Sequence, residues 1–162
     1  MVRRVFFSFH FDNDVMRVQL VRNMGALEGN EPISVNDWET VKRGEEPSIK
    51  RWIENTMKDC DCIIVLIGSE TANRPWVDYE IRKAWEMKKG ILGIYIHNLP
   101  CPRTGKSHKG LNPFDKIFFT DGTPLSSKIK CYDPNPLDAY NDIKTGIQRI
   151  VELAIQEAKQ RN

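Results

Sequence analysis

The sequence predicts an α/β fold, a flavodoxin-like three-layer sandwich around a five-stranded parallel sheet. Three observations carry that prediction. The first is the run Cys62-Ile63-Ile64-Val65-Leu66-Ile67, apolar throughout, rich in β-branching and too short to cross a bilayer. A strand covered on both faces reads this way, because neither set of alternating side chains meets water. The second is the segment after it, where Val77, Ile81, Ala84 and Trp85 fall at i, i+4, i+7 and i+8 and form one apolar helix stripe. The third is alternation: apolar runs and helix-period segments take turns along the chain, the pattern of parallel strands joined by crossover helices. The expected strand order is 2-1-3-4-5, with Cys62–Ile67 in the middle.

In chain order, residues 2–11 form the first strand, with Val5, Phe7, Phe9 and Phe11 alternating against Phe6, Ser8 and His10. Asn13 or Asp14 then caps a helix over 15–24, whose apolar residues run most of the way round. Ile33, Ser34 and Val35 are the second strand, followed by Trp38 and a charged loop through Lys42, Arg43 and Gly44. Pro47 suits the first turn of the next helix, where its missing N–H costs nothing, and Ile49, Trp52, Ile53 and Met57 mark its apolar face. After the strand at 62–67, Gly68 and Ser69 break the apolar run and a polar loop leads to Trp76. Lys88, Lys89 and Gly90 close that helix, with Gly as the stop, and residues 91–96 form the fourth strand. Residues 98–135 are rich in Pro, Gly, Lys and Asp, with one apolar patch at Ile117, Phe118 and Phe119 and a short last strand at 129–132. A stretch this long without regular structure is often functional, and it is expected to pack over the carboxyl edge of the sheet or an adjoining flank, not as a separate domain. Asn135 caps the last helix with Pro136 at its first position, and Tyr140, Ile143, Ile147, Ile150, Val151 and Ala154 form its stripe.

The 162 residues read as one domain over 1–162, long enough to bury a core without staples. Lys and Arg (24) nearly balance Asp and Glu (22), and the net charge of +2 with no basic face argues against nucleic acid as a partner. The N-terminus has no cleavable signal pattern and no run approaches a membrane span. Cysteines at 60, 62, 101 and 131 match no zinc spacing, so no metal is expected, and a reduced, cytoplasmic setting follows. Gly105-Lys106-Ser107 imitates the end of a phosphate-binding loop, but Pro100 stands at the earlier glycine position. A phosphate-receiver domain is excluded because Gly68 and Ser69 stand where its acceptor Asp would be.

Strand, small-residue turn and helix put Ser69 and the helix start at the carboxyl edge of the sheet, where open α/β folds bind ligands. Phe9, His10 and Asn13 follow strand one, and Trp38 and Lys42 follow strand two, to the same edge. Trp38 suits stacking on a planar ring, or anchoring its loop; Trp52 and Trp85 lie on helix stripes and read as core.

The segments FFSFHFDND, DWETVKRGEEPSIKRWI and CIIVLIGS followed by RPWVDYEIRKAW together resemble TIR-like domains, most closely those of the bacterial Thoeris anti-phage defence type (ThsB-like). The likeness covers roughly residues 3–97 and departs where Lys42-Arg43-Gly44 replaces the usual Arg-Pro-Gly. It implies cleavage of the nicotinamide–ribose bond of NAD, with NAD as substrate and no further cofactor. It also implies a cyclic ADP-ribose-type product that reaches a separate effector protein by diffusion, and self-association around the Gly44 loop. Alignment of Trp76 and Glu80 with the family's Trp-x-x-x-Glu pattern makes Glu80 the catalytic residue. The helical wheel does not choose it unaided, since Asp78 lies on the opposite flank of the stripe, about equally far from its centre. Phe9, His10, Asn13, Trp38, Lys42, Ser69 and Trp76 are the expected substrate contacts. The bland alternative for Glu80 is a solvated glutamate paired with Lys83; for the catalytic Glu80 on its helix flank, replacement by Gln is expected to leave folding nearly unchanged.

Two other functions compete. One is a TIR-type interaction module that catalyses nothing; the other is an N-ribosyl hydrolase or transferase acting on a different nucleotide. A glutamate at position 80 favours the enzymes.

Overall fold

Strand β2 (Cys62–Ile67) is the axis of the molecule, and every one of its residues is buried. In the computed structural model, which describes residues 3–24 and 44–161, it lies between β1 (Val5–Ser8) and β3 (Gly90–Tyr95), parallel to both. A two-residue strand, β4 (Cys131–Tyr132), adds in parallel to β3, so the described sheet has the order β1-β2-β3-β4. The expected second strand at 33–35 lies outside the described residues, as do Trp38 and Lys42; the four described strands keep the expected relative order.

Period-two alternation sorts the sheet into two cores. Cys62, Ile64 and Leu66 join Val5, Phe7, Phe9, Leu92, Ile94 and Ile96 on one face. That face is covered by α1 (Phe11–Arg22) and α4 (Ala139–Lys159). Ile63, Val65 and Ile67 face the other way with Phe6, Ile91 and Tyr95, under α2 (Glu46–Lys58) and α3 (Pro75–Glu86). Both faces are apolar because both are covered, which is why the strand reads as an unbroken apolar run. Trp52 and Trp85 stay half-buried at the margin of this second core rather than inside it. No helix among the described residues is long and apolar enough to cross a membrane.

Several boundaries differ from the sequence reading. Helix α1 starts at Phe11, with His10 at its N-cap, so Asn13 and Asp14 lie in its first turn and cap nothing. Its inward face is Phe11, Asp14, Arg17, Val18 and Val21, a helical spacing that includes two charges, which blurred the hydropathy pattern. Helix α3 stops before Gly90. Lys88 takes the left-handed conformation (φ 60°), and Lys89 N–H donates to Ala84 O at 3.0 Å, a Schellman-type ending with lysine where glycine is favoured. Gly90 opens β3 instead, and a Cβ there would sit 2.9 Å from the backbone nitrogen of Ile155 in α4. Asp138, not Asn135, caps α4 by accepting from Asn141 N–H at 3.3 Å.

The 98–135 segment packs back on the sheet. Ser107 N–H donates to His97 O at 2.8 Å, and a Cβ on Gly110 would lie 2.1 Å from Gly68 O, so this chain crosses the carboxyl end of β2. Phe114 and Ile117, in and after a short 3-10 turn, fill the second core with Leu125. Of the expected apolar patch, Ile117 is buried, Phe119 packs on Trp85 at 5.2 Å, and Phe118 faces solvent.

Candidate active site

The second turn of α3 points a carboxyl group into the sheet. Glu80 is 5% exposed, because Val77, Ile81 and Ala84 bury the same helix face against β2. Asp78 is turned outward and pairs with Arg82 at 2.8 Å, so burial separates two acids that the helical wheel left equivalent. Lys83 does not serve Glu80: its ammonium sits 3.2 Å from both Glu54 and Glu86. The solvated-pair alternative therefore does not describe this glutamate.

The donor to Glu80 comes from strand one. Ser8 Oγ donates to Glu80 Oε1 at 3.1 Å. Ser8 shares the Phe6 side of β1, so alternation along Phe6-Phe7-Ser8-Phe9 aims its hydroxyl at α3 while Phe7 and Phe9 face α1. Burial pushes the Glu80 carboxyl up to about 8, and the Ser8 hydrogen bond only partly opposes that. The acid is thus mostly protonated at neutral pH.

A second cluster sits where β2 ends. Asn13 Nδ2 donates to Ser69 Oγ at 3.1 Å and to Asp14 Oδ1 at 3.2 Å. Gly68 N–H donates to Thr71 Oγ1 at 2.8 Å, and Thr71 Oγ1 lies 3.5 Å from Asp14 Oδ2. Gly68 is required here by close approach, because a Cβ would meet Asp14 Oδ2 at 2.1 Å. Burial raises the Asp14 carboxyl above the ordinary range, with Arg17 opposing.

Asn13 and Ser69 are therefore brought together, and His10 lies two residues beyond Ser8 with Nδ1 at 4.0 Å from Glu70 Oε2. Trp76 stands one turn before Glu80 and meets the Tyr79 ring edge-on at 5.7 Å. Phe9 is not part of this group: it packs on Phe11 at 6.3 Å in the α1–α4 core. Asp14, Arg17, Thr71 and the role of Ser8 were not picked out from the sequence. The Ser8 signal was present in strand alternation; that of Asp14 lay in its three-residue spacing from Phe11, once the helix is started there.

The sequence that builds this edge is similar to that of known proteins. The TIR-like domain of the Thoeris protein ThsB matches residues 6–100, from β1 through the exit of β3. The chain belongs to the ThsB family of TIR-like domains. A Bacillus cereus (strain MSX-D12) protein named "Putative cyclic ADP-D-ribose synthase ThsB1" is 36% identical over 133 residues, covering 77% of this chain and 69% of the relative. The matched residues contain Ser8, Asn13, Asp14, Gly68, Ser69 and Glu80, whereas the chain that crosses the end of β2 at Gly110 lies beyond them.

Proposed function

We propose that this chain cleaves the nicotinamide–ribose bond of NAD at the carboxyl edge of the sheet, with Glu80 as the catalytic carboxylate, and closes the remainder into a cyclic ADP-ribose-type signal. The observation that carries the proposal is the setting of Glu80: a buried carboxyl with a hydroxyl donor from strand one and a pKa lifted by desolvation. The name of the Bacillus cereus relative supports the product class.

The chemistry suits a single carboxylate. The bond between the ribose carbon and the pyridinium nitrogen breaks with its electron pair going to the nitrogen, so neutral nicotinamide leaves without an acid. A positive charge develops on the ribose, as it does in ordinary glycosidases, but those need a second carboxyl group to protonate the leaving group or activate water, and here the leaving group needs no proton. A nucleophile elsewhere in the same molecule then closes the ring on that carbon. A neutral Glu80 gives little help to a cation, so the active form is the carboxylate. A cationic pyridinium beside it favours loss of the Glu80 proton to solvent. Asn13 and Ser69 supply polar groups for the rest of the substrate.

The product is read by a separate effector protein, and association of copies raises activity. Incubating the purified protein with NAD over a range of protein concentrations, and separating the nucleotides by chromatography, tests this. Free nicotinamide together with a cyclic ADP-ribose isomer is the expected outcome, with turnover per molecule rising with concentration. Intact NAD at every concentration would support an interaction module instead.

A further inference from the structure

Helix α1 turns a charge pair inward. Asp14 is 1% exposed and Arg17 4%, with Arg17 Nη1 3.5 Å from Asp14 Oδ1. A buried ion pair adds little net stability, since desolvating both charges offsets their attraction. What the pair holds is more informative. Arg17 Nε donates to Leu99 O at 3.0 Å and Nη2 donates to Gly105 O at 2.9 Å. Those carbonyls bracket the turn after β3, which is closed by reciprocal backbone bonds between Cys101 and Gly105. Asp14 reaches the other way, to Asn13 Nδ2, to Thr71 Oγ1 and into the space that a side chain at Gly68 would need. The β2 exit and the β3 exit are therefore both tied to one turn of α1.

We propose that the Asp14–Arg17 pair is a positioning unit that locks the exits of β2 and β3 together and so holds Asn13 and Ser69 in the geometry that grips the substrate. It rests on the reading of this edge as the NAD site. Neither side chain is free to grip substrate: the Asp14 carboxyl is engaged by Asn13, Thr71 and Arg17, and Arg17 is spent on backbone carbonyls. Asn13 carries the effect outward, because one amide nitrogen reaches both Asp14 and Ser69. A lock of this kind contributes to binding in ground and transition states alike, so its loss falls on KM rather than kcat.

Two readouts on the whole chain test it. Amide hydrogen exchange reports opening of the 99–107 segment, with β2 as the internal reference, and steady-state kinetics on NAD report the site. Arg17→Gln removes one or two charge-assisted hydrogen bonds, so exchange in 99–107 is expected to rise about 10- to 100-fold. β2 should keep its wild-type exchange. KM for NAD should rise about tenfold or more, with kcat within about twofold. Asp14→Asn keeps its shape against Gly68 and serves as the second variant, expected to speed exchange at 68–71 with the same rise in KM. Unchanged exchange in these segments would overturn the lock. So would a rise shared by β2, which marks global loosening, or a local rise with KM unmoved. If the wild-type protein leaves NAD intact, the proposed function falls, and the comparison of 99–107 with β2 still decides the lock by itself.

Discussion

Replacing Glu80 by Gln should change how stability depends on pH. A glutamate on a helix flank would leave folding untouched, but this one is buried, and its pKa is lifted from 4.5 to about 8. Between those values the folded protein keeps the proton that the unfolded chain has lost. Stability contributed by the neutral acid is therefore fully present below 4.5, falls as pH rises through the window, and levels off above about 8. That window, at about 1.4 kcal/mol per pH unit, amounts to about 5 kcal/mol. Other acids titrate too: Asp14 in the same sense, and Glu54 and Glu152, whose pKa values are lowered, in the opposite sense. The difference between wild type and Glu80→Gln cancels them. Urea unfolding followed by tryptophan fluorescence, at intervals from about pH 5 to 9, gives that difference directly. It should shift in favour of the variant by several kcal/mol across the range. A flat difference would refute the reasoning, because it would mean that Glu80 ionises as freely in the folded protein as in the unfolded chain.

Three further outcomes follow from the packing. Ser8→Ala removes the donor to Glu80 Oε1, which raises the carboxyl further and moves the rising limb of the pH–rate profile to higher pH; an unmoved limb would mean the Ser8 bond is not made in the working enzyme. Gly90→Ala forces a Cβ to 2.9 Å from the Ile155 backbone nitrogen, which should cost about 1–3 kcal/mol in urea unfolding, and a neutral result would contradict the α4–β3 contact. Lys88→Gly relieves a left-handed residue at the end of α3 and should stabilise by about 0.5–1 kcal/mol in the same assay, whereas a loss of stability would contradict the Schellman ending.

Much of the fold was legible because burial on both faces leaves a plain mark. Cys62–Ile67 could be read as a central strand from composition, and α2 and α3 from stripes that recur as Ile49, Ile53, Met57 and Val77, Ile81, Ala84. Helix α1 was read poorly for a physical reason: its inward face carries Asp14 and Arg17, which no hydropathy period can count as core. Lys88 hid the end of α3 because its left-handed conformation comes from the Schellman geometry and not from residue type. At the candidate site, resemblance chose Glu80 over Asp78 where the helical wheel could not, and packing supplies the physical difference between them. Phe9 shows the limit of proximity in sequence. It lies next to Ser8, yet strand alternation turns it to the opposite face.

The central claim is that one buried carboxylate does the chemistry, and its most direct test is NAD turnover by wild type, Glu80→Gln and Asp78→Asn side by side, near pH 8 where Glu80 is about half ionised. Glu80→Gln keeps size and the Ser8 contact but loses the charge that matters as the ribosyl cation forms, so kcat should fall about 10²- to 10³-fold. Asp78→Asn, on the solvent flank with Arg82, should keep most of the activity. Wild-type turnover by Glu80→Gln, or loss in Asp78→Asn with Glu80→Gln intact, would contradict the account.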